Sequence, residues 1–384
     1  MSHLNPANIP LSLYIHMPWC VRKCPYCDFN SHAVPDGQLS MDLEQQYLAA
    51  LVADFETQIE MAQGRAIHSV FIGGGTPSLI SAQGYQWLFY QLKARLDFEA
   101  DCEITLEANP GTVEHDPFAD YLATGINRLS LGVQSFDADH LQRLGRIHSA
   151  DNALDAIQQA RQAGFERVNV DLMHGLPEQT EEQALTDLKL AVTHGATHIS
   201  WYQLTIEPNT VFFRTQPILP QDEVLEHIQE KGEAYLIANG YVNYEVSAWR
   251  KEKPSTHNLN YWQFGDYLAI GAGAHGKVTR PDGIYRFQKT RLPKDYLAKV
   301  PADHVQMKRI EADELAFEFM MNALRLNEGV PAELYEQRTG LALSDLDDVL
   351  TQLRDKKLLV EDPAILACTA QGHIFLNSVL EAFL

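Results

Sequence analysis

The sequence predicts an α/β fold: a partial, open (β/α)6 TIM-like barrel followed by a smaller, mainly helical, winged-helix-like C-terminal domain. Three observations carry this reading. Short apolar runs alternate with amphipathic stretches over the first two-thirds of the chain. Six such runs occur, short of the eight that close a (β/α)8 barrel. From Glu311 onward the pattern turns mostly helical.

The candidate strands are Ser12–His16, Ser69–Gly73, Glu103–Glu107, Arg128–Gln134, Arg167–Met173 and His198–Thr205. Each is five to eight residues long and rich in Val, Ile, Leu, Phe or Tyr, as strands buried on both faces should be. Among the intervening helices, Ala150–Ala163 has Gly164 placed as its C-terminal stop. Another starts at Thr180, where Thr180 and Gln183 have capping-box spacing. Strands alternating with helices imply parallel neighbours joined by right-handed crossovers. Pro- and Gly-containing segments at Gln216–Gln221 and Lys251–Thr256 then interrupt the pattern. The expected division is 1–240 for the barrel, 241–300 for a connecting region and 301–384 for the C-terminal domain. In that last part, Ser344 with Asp347 predicts a helix through Arg354. The runs Leu358–Val360 and His373–Leu376 predict a wing-like hairpin.

Composition excludes several function classes. The 384 residues are 45% apolar, ample for a core, and carry a formal net charge of −21. That charge argues against general nucleic-acid binding and against adsorption to anionic membranes. Residues 301–384 alone carry 7 Lys/Arg against 15 Asp/Glu, so the winged-helix-like part is not expected to read DNA. The first ten residues, MSHLNPANIP, lack a signal peptide's basic start and apolar stretch. No apolar run reaches the ~18 residues needed to span a bilayer. A soluble, cytoplasmic protein is expected.

Five cysteines occur, and three of them fall together in Tyr14-Ile-His-Met-Pro-Trp-Cys20-Val-Arg-Lys-Cys24-Pro-Tyr-Cys27. Cys102 and Cys368 stand apart and read as buried free thiols. In a reducing compartment, clustered thiols point to metal or redox chemistry rather than disulfides. The loop follows the first strand directly, at the end where barrel active sites sit. Three thiolates at this spacing can wrap a compact iron–sulfur core, leaving one iron in need of an outside ligand. A structural Cys₃His zinc site using His16 or His32 is the alternative. The spacing Cys20-x₃-Cys24-x₂-Cys27, with Tyr26 before the last cysteine, resembles the signature of the radical S-adenosylmethionine superfamily. That resemblance implies a [4Fe-4S] cluster on Cys20, Cys24 and Cys27, whose open iron is chelated by the amino and carboxylate groups of S-adenosylmethionine.

Gly73-Gly74-Gly75-Thr76-Pro77 ends the second strand, and three glycines let backbone carbonyls and amides approach a ligand closely. Glu107, Gln134 and Asp171 fall at or within the next three strands, where buried polar groups are costly unless paired. Pairing with each other or with loop amides is the structural alternative; a bound nucleoside would otherwise supply partners. Arg146, shortly after the fourth strand, is placed to meet a carboxylate, with an ordinary solvated helix charge as the plain alternative. One by one, Tyr14, Gly74, Gly75, Thr76, Glu107, Gln134, Arg146 and Asp171 resemble the nucleotide ligands of the oxygen-independent coproporphyrinogen III oxidase family. The resemblance runs from Tyr14 into the C-terminal module and includes the stretch from Asp171 to Thr180.

Two departures separate the chain from the oxidase itself. The oxidase has a further Cys two residues after the last cluster Cys, where this chain has Phe29, and a longer N-terminal extension. In the other direction, His257-Asn-Leu-Asn-Tyr261-Trp262 resembles the HNxxYW motif of a related branch, the HemW-type haem chaperones. A His able to ligate iron and flat aromatics able to stack on a porphyrin suit that role. A structural turn cap is the plain alternative. The expectation is therefore a haem chaperone that hands haem to an acceptor protein not named by the sequence. The rival is radical decarboxylation of coproporphyrinogen, and a zinc-stabilised interaction module is a third class.

Overall fold

The computed structural model describes residues 4–34, 38–111, 116–299, 301 and 305–384. Residues 1–3 of the leading segment, and 300 and 302–304 at the expected domain boundary, lie outside the described residues.

Each of the six expected strands forms. They are β1 (Leu11–Met17), β2 (Ile67–Gly74), β3 (Phe98–Ala108), β4 (Arg128–Gln134), β5 (Arg167–His174) and β6 (His198–Gln203). Neighbours pair in parallel in chain order from β1 to β6. Their apolar side chains form one continuous core, with Leu13, Ile15, Val70, Ile72, Leu106, Leu129, Val170 and Ile199 wholly enclosed. Burial on both faces explains the unbroken apolar runs. The helix Ala150–Gln162 ends at Gly164 with φ +99°, as its glycine stop requires. Glu181–Thr193 carries the expected reciprocal cap between Thr180 and Gln183.

The connecting region continues the same sheet. Strands β7 (Val242–Glu245) and β8 (Ala248–Arg250) extend it antiparallel beyond β6. Strand β9 (Asp266–Ile270) pairs in parallel with the free side of β1. Antiparallel β10 (His275–Arg280), β11 (Gly283–Gln288) and β12 (Gln306–Arg309) follow. The 12-stranded order is β12-β11-β10-β9-β1-β2-β3-β4-β5-β6-β8-β7, an open sheet whose ends do not pair among the described residues. The parallel part thus gains a seventh strand, β9, absent from the sequence reading.

The C-terminal part is mainly helical, and its core around Phe319, Met320, Leu350 and Leu353 also takes in Tyr244, Ala248, Phe264 and Ile284 from the connecting region. Two expectations there are corrected. Ser344 lies in a 3-10 turn, Leu343–Leu346, and the α-helix proper runs Asp347–Asp355. The wing does not pair Leu358–Val360 with His373–Leu376. Leu359 instead bridges Cys368, with Val360 N donating to Ala367 O (3.0 Å) and Thr369 N to Leu358 O (3.0 Å). Thr369 then caps a helix, Ala370–Ile374, by accepting from Gly372 N, so the second run is helical. Cys102 and Cys368 are buried, as expected.

Candidate functional site

The strand ends deliver their polar residues to one place. A cavity of about 440 Å³ lies over the C-terminal ends of β2 to β6. Its wall includes Cys20, Cys24 and Cys27 on one side and Glu107, Gln134 and Asp171 on the other. Gly74, Gly75, Thr76 and Arg146 line it as well. Tyr14 does not; it faces a second, adjoining cavity.

The cysteine loop is closed at its neck, where Trp19–Cys20 pairs with His32–Ala33. His32 enters the neck through its backbone, and its ring Nε2 is buried with no hydrogen-bond partner among the described residues. His16 is hydrogen-bonded through Nδ1 to the Tyr14 hydroxyl (2.8 Å) and through Nε2 to Asn30 O (2.9 Å). Among the described residues, no three His, Cys, Asp or Glu side chains converge on a single ion. The thiols instead stand around the cavity wall, each half-buried. Burial pushes the Cys20 and Cys27 thiols up from their usual range, a cost that binding to a metal cluster would remove.

The glycines are needed by packing. Gly74 has φ +112°, and a Cβ there would meet the His16 imidazole at 2.5 Å. A Cβ on Gly75 would lie 2.4 Å from Trp19 O. Gly75 N donates to Met17 O (2.6 Å), Thr76 N to Trp19 O (2.7 Å) and Gly74 N to Glu107 Oε2 (3.1 Å). The expectation that these amides are open to a ligand is thus corrected: protein acceptors already hold them, and those of Gly75 and Thr76 lock the cysteine loop onto β2.

Gln134 ends β4 at a bulge and has φ +73°, which re-aims the strand end. Its Oε1 accepts from the Tyr202 hydroxyl at 2.7 Å. Asp171 accepts from Asn169 Nδ2 (2.8 Å) and Ser130 Oγ (3.1 Å). Arg146 turns inward rather than to solvent. Its Nη2 donates to Asn109 Oδ1 (2.6 Å) and to Gly132 O, and its Nη1 reaches Cys24 Sγ at 3.7 Å. Its Nε is a buried donor with no partner among the described residues.

These groups fit a [4Fe-4S] cluster with S-adenosylmethionine. Enclosure, then the neighbouring Asp171 carboxylate, pushes Glu107 up to about 8. Enclosure also raises Asp171. Two carboxylates facing one cavity suit a cationic ligand, which would restore their charged forms. The unliganded protein should draw stability from neutral Glu107 below its ordinary carboxylate range, a contribution lost as pH rises through about 8. Binding of cationic S-adenosylmethionine to cluster-loaded protein should strengthen as pH rises through the same value and release protons. Calorimetry in buffers of different ionisation enthalpy checks this. Affinity independent of pH, without proton release, contradicts it.

The second cavity, about 660 Å³, includes Tyr14, Phe71, Tyr261, Trp262, Tyr267 and His275 in its wall. Asp28, Phe29, Gly74 and Glu107 line both cavities. Phe29, in the position that sequence comparison marked, is 59% exposed between them. Of the His257–Trp262 motif, Tyr261 and Trp262 reach this wall and His257 does not. His257 is buried, stacked on Phe71 at 4.2 Å between ring centroids. Its Nδ1 is 2.9 Å from Ser255 Oγ and 3.4 Å from Glu103 Oε1.

Sequence reasoning missed Asn109, which ties Thr76 Oγ1 to Arg146, and Asn30, which fastens the cysteine loop. Asn109 carries a weak signal, two residues beyond Glu107 on the same strand end. Asn30 carries none.

A cysteine loop seated on a glycine-rich strand end of a partial barrel defines a radical S-adenosylmethionine protein, and a Radical SAM superfamily model matches residues 14–191. A HemN C-terminal domain model matches 310–375. Coproporphyrinogen III oxidase (HemN) from Escherichia coli superposes with a TM-score of 0.80 over 98% of this chain and 90% of its own, at 24% identity, which establishes the fold alone. Heme chaperone HemW of Haemophilus influenzae is 50% identical, with 98% of each chain covered. The Escherichia coli protein of that name is 49% identical over the same shares. A Mycobacterium tuberculosis relative, also named heme chaperone HemW, is 32% identical over 98% of this chain and 95% of its own. The chain belongs to the HemW family.

Proposed function

We propose that this protein is a haem chaperone: it binds haem and passes it to an acceptor protein, while Cys20, Cys24 and Cys27 hold a S-adenosylmethionine-ligated [4Fe-4S] cluster. The carrying observation is the pair of adjoining cavities. One has the three thiols and the strand-end carboxylates in its wall; the other is aromatic and opens beside them. Flat aromatic walls suit a porphyrin, and its size falls within the ~300–1,000 Å³ of small-molecule sites. The names of the relatives favour the same cargo.

When bound, the cluster and nucleotide supply one-electron chemistry. The chain's own residues do the positioning. Arg146 sets a guanidinium against the Cys24 sulfur, and its unpartnered Nε remains for a carboxylate. Glu107 and Asp171 balance positive charge. Tyr261 and Trp262, with His257 behind them, form the haem region. Phe29 offers no thiol where the oxidase has its further Cys, which weighs against coproporphyrinogen decarboxylation.

Cluster-loaded protein titrated with haem should develop a haem Soret difference band. The same protein, given coproporphyrinogen, S-adenosylmethionine and a reductant, should release no protoporphyrinogen. Protoporphyrinogen formation, or failure to bind haem, overturns the proposal. For the acceptor we expect a haem protein of the same compartment, with the cytoplasm as the setting; no helix among the described residues is long and apolar enough to cross a membrane.

A further inference from the structure

Three imidazoles lie in or behind the second cavity, and they differ in what their ring nitrogens do. His16 is buried, with Nδ1 on the Tyr14 hydroxyl and Nε2 on Asn30 O. His257 is buried behind Phe71, held by Ser255 and Glu103. His275, the first residue of β10, is exposed at the cavity wall. Among the described residues, neither of its ring nitrogens has a hydrogen-bond partner.

Its seat is rigid. The turn from β9 to β10 uses Gly271 at φ +107° and Gly273 at φ +82°, conformations that suit glycine. Asn30 Nδ2, from the cysteine loop, donates to Ala272 O (3.0 Å) and Arg291 O (2.8 Å). Gly273 N donates to Thr290 O (2.9 Å) and Lys289 N to Ala274 O (2.8 Å). The imidazole therefore projects from a backbone pinned on both sides. Aromatic rings face the same cavity: Tyr14 stacks on Phe71 at 5.8 Å, and Tyr261 meets Tyr267 edge-on at 4.8 Å. Arg291 at this wall supplies a cation suited to a propionate.

We propose that His275, not the motif's His257, is the axial ligand that holds haem iron in the second cavity. This rests on the haem-chaperone reading and adds the iron ligand and the pose's anchor. The bond forms when a ring-nitrogen lone pair displaces water or another weak ligand from iron, with no change of oxidation state. Partial enclosure of the ring by the cavity wall, then Arg286 and Arg291, lowers the imidazole's proton affinity, so the neutral ligating form prevails at neutral pH. One exposed ligand at an open cavity also suits a carrier that must release its cargo. His257 becomes a positioning residue: it stacks on Phe71 and stands edge-on to Tyr261 at 6.1 Å, setting the aromatic wall.

The test titrates cluster-loaded protein with ferric haem and reads affinity, the Soret difference spectrum and haem electron paramagnetic resonance. His275→Ala should weaken haem binding at least tenfold and erase the nitrogen-ligand signature, while cluster absorbance is unchanged. Added imidazole should restore the signature. His257→Ala should lower haem capacity yet keep the nitrogen-ligand spectrum in what still binds. A His275→Ala protein with wild-type affinity and spectrum overturns the assignment, as does loss of the signature in His257→Ala alone. Failure of the wild-type protein to bind haem overturns the chaperone reading instead, so the two failures are distinguishable.

Discussion

Replacing Cys24 with alanine should abolish cluster assembly and reduce S-adenosylmethionine binding at least tenfold. A four-iron cluster ordinarily has four protein thiolates, and this loop offers three. Removing one leaves two irons without a protein ligand. It also frees Arg146 Nη1 from its sulfur partner at 3.7 Å, leaving a buried cation less well paired. The protein itself should stay folded, because the loop's neck and the Gly75 and Thr76 amides hold it independently of the thiols. Visible absorbance of anaerobically reconstituted protein, with nucleotide binding beside it, checks the prediction. A Cys24→Ala protein with wild-type absorbance would contradict it.

The largest stability effect is expected at Asp54. This carboxylate is fully enclosed, as is Lys289, whose Nζ lies 2.5 Å from Oδ1. Oδ2 accepts from the Tyr296 hydroxyl (2.7 Å) and from Gly271 N (3.2 Å), and Gln58 Nε2 donates to Oδ1 (3.2 Å). Asp54 thus joins the helix Met41–Glu56 to the turn that presents His275. Asp54→Ala would leave Lys289 buried without its counter-charge, at a cost of about 3–5 kcal/mol. Urea unfolding of the full chain measures this. A loss below about 1 kcal/mol would show the pair to be solvent-relaxed, as surface pairs are.

The barrel was legible because its strands are buried on both faces and so appear as unbroken apolar runs bounded by helix caps. β9 escaped notice for a physical reason. Asp266 opens it, and a wholly buried Asp reads as a surface residue until Arg65 (2.7 Å) and Lys277 (2.9 Å) are seen to neutralise it. Those partners lie 201 and 11 residues away. The mistaken wing came from a short apolar run, which strand and helix share, while Thr369 with Gly372 carried the helix-cap signal.

At the site, residue types and spacing located the cysteines and strand-end carboxylates, because both sit at fixed offsets from strands. Spacing does not report direction. It left Arg146 with a solvated helix charge as its plain alternative, although the guanidinium turns inward to Asn109 and Gly132. The resemblance to the HNxxYW motif, rather than spacing, pointed to His257, and His275 has no such motif around it. The motif around His257 is compact in sequence, whereas the exposure of His275 beside Tyr261 exists only once β10 has folded back along β9.

Counting iron, labile sulfide and zinc in protein purified without oxygen tests the central claim most directly. About four iron and four sulfide per chain are predicted for a single cubane. Zinc in place of iron, with no labile sulfide, would contradict it.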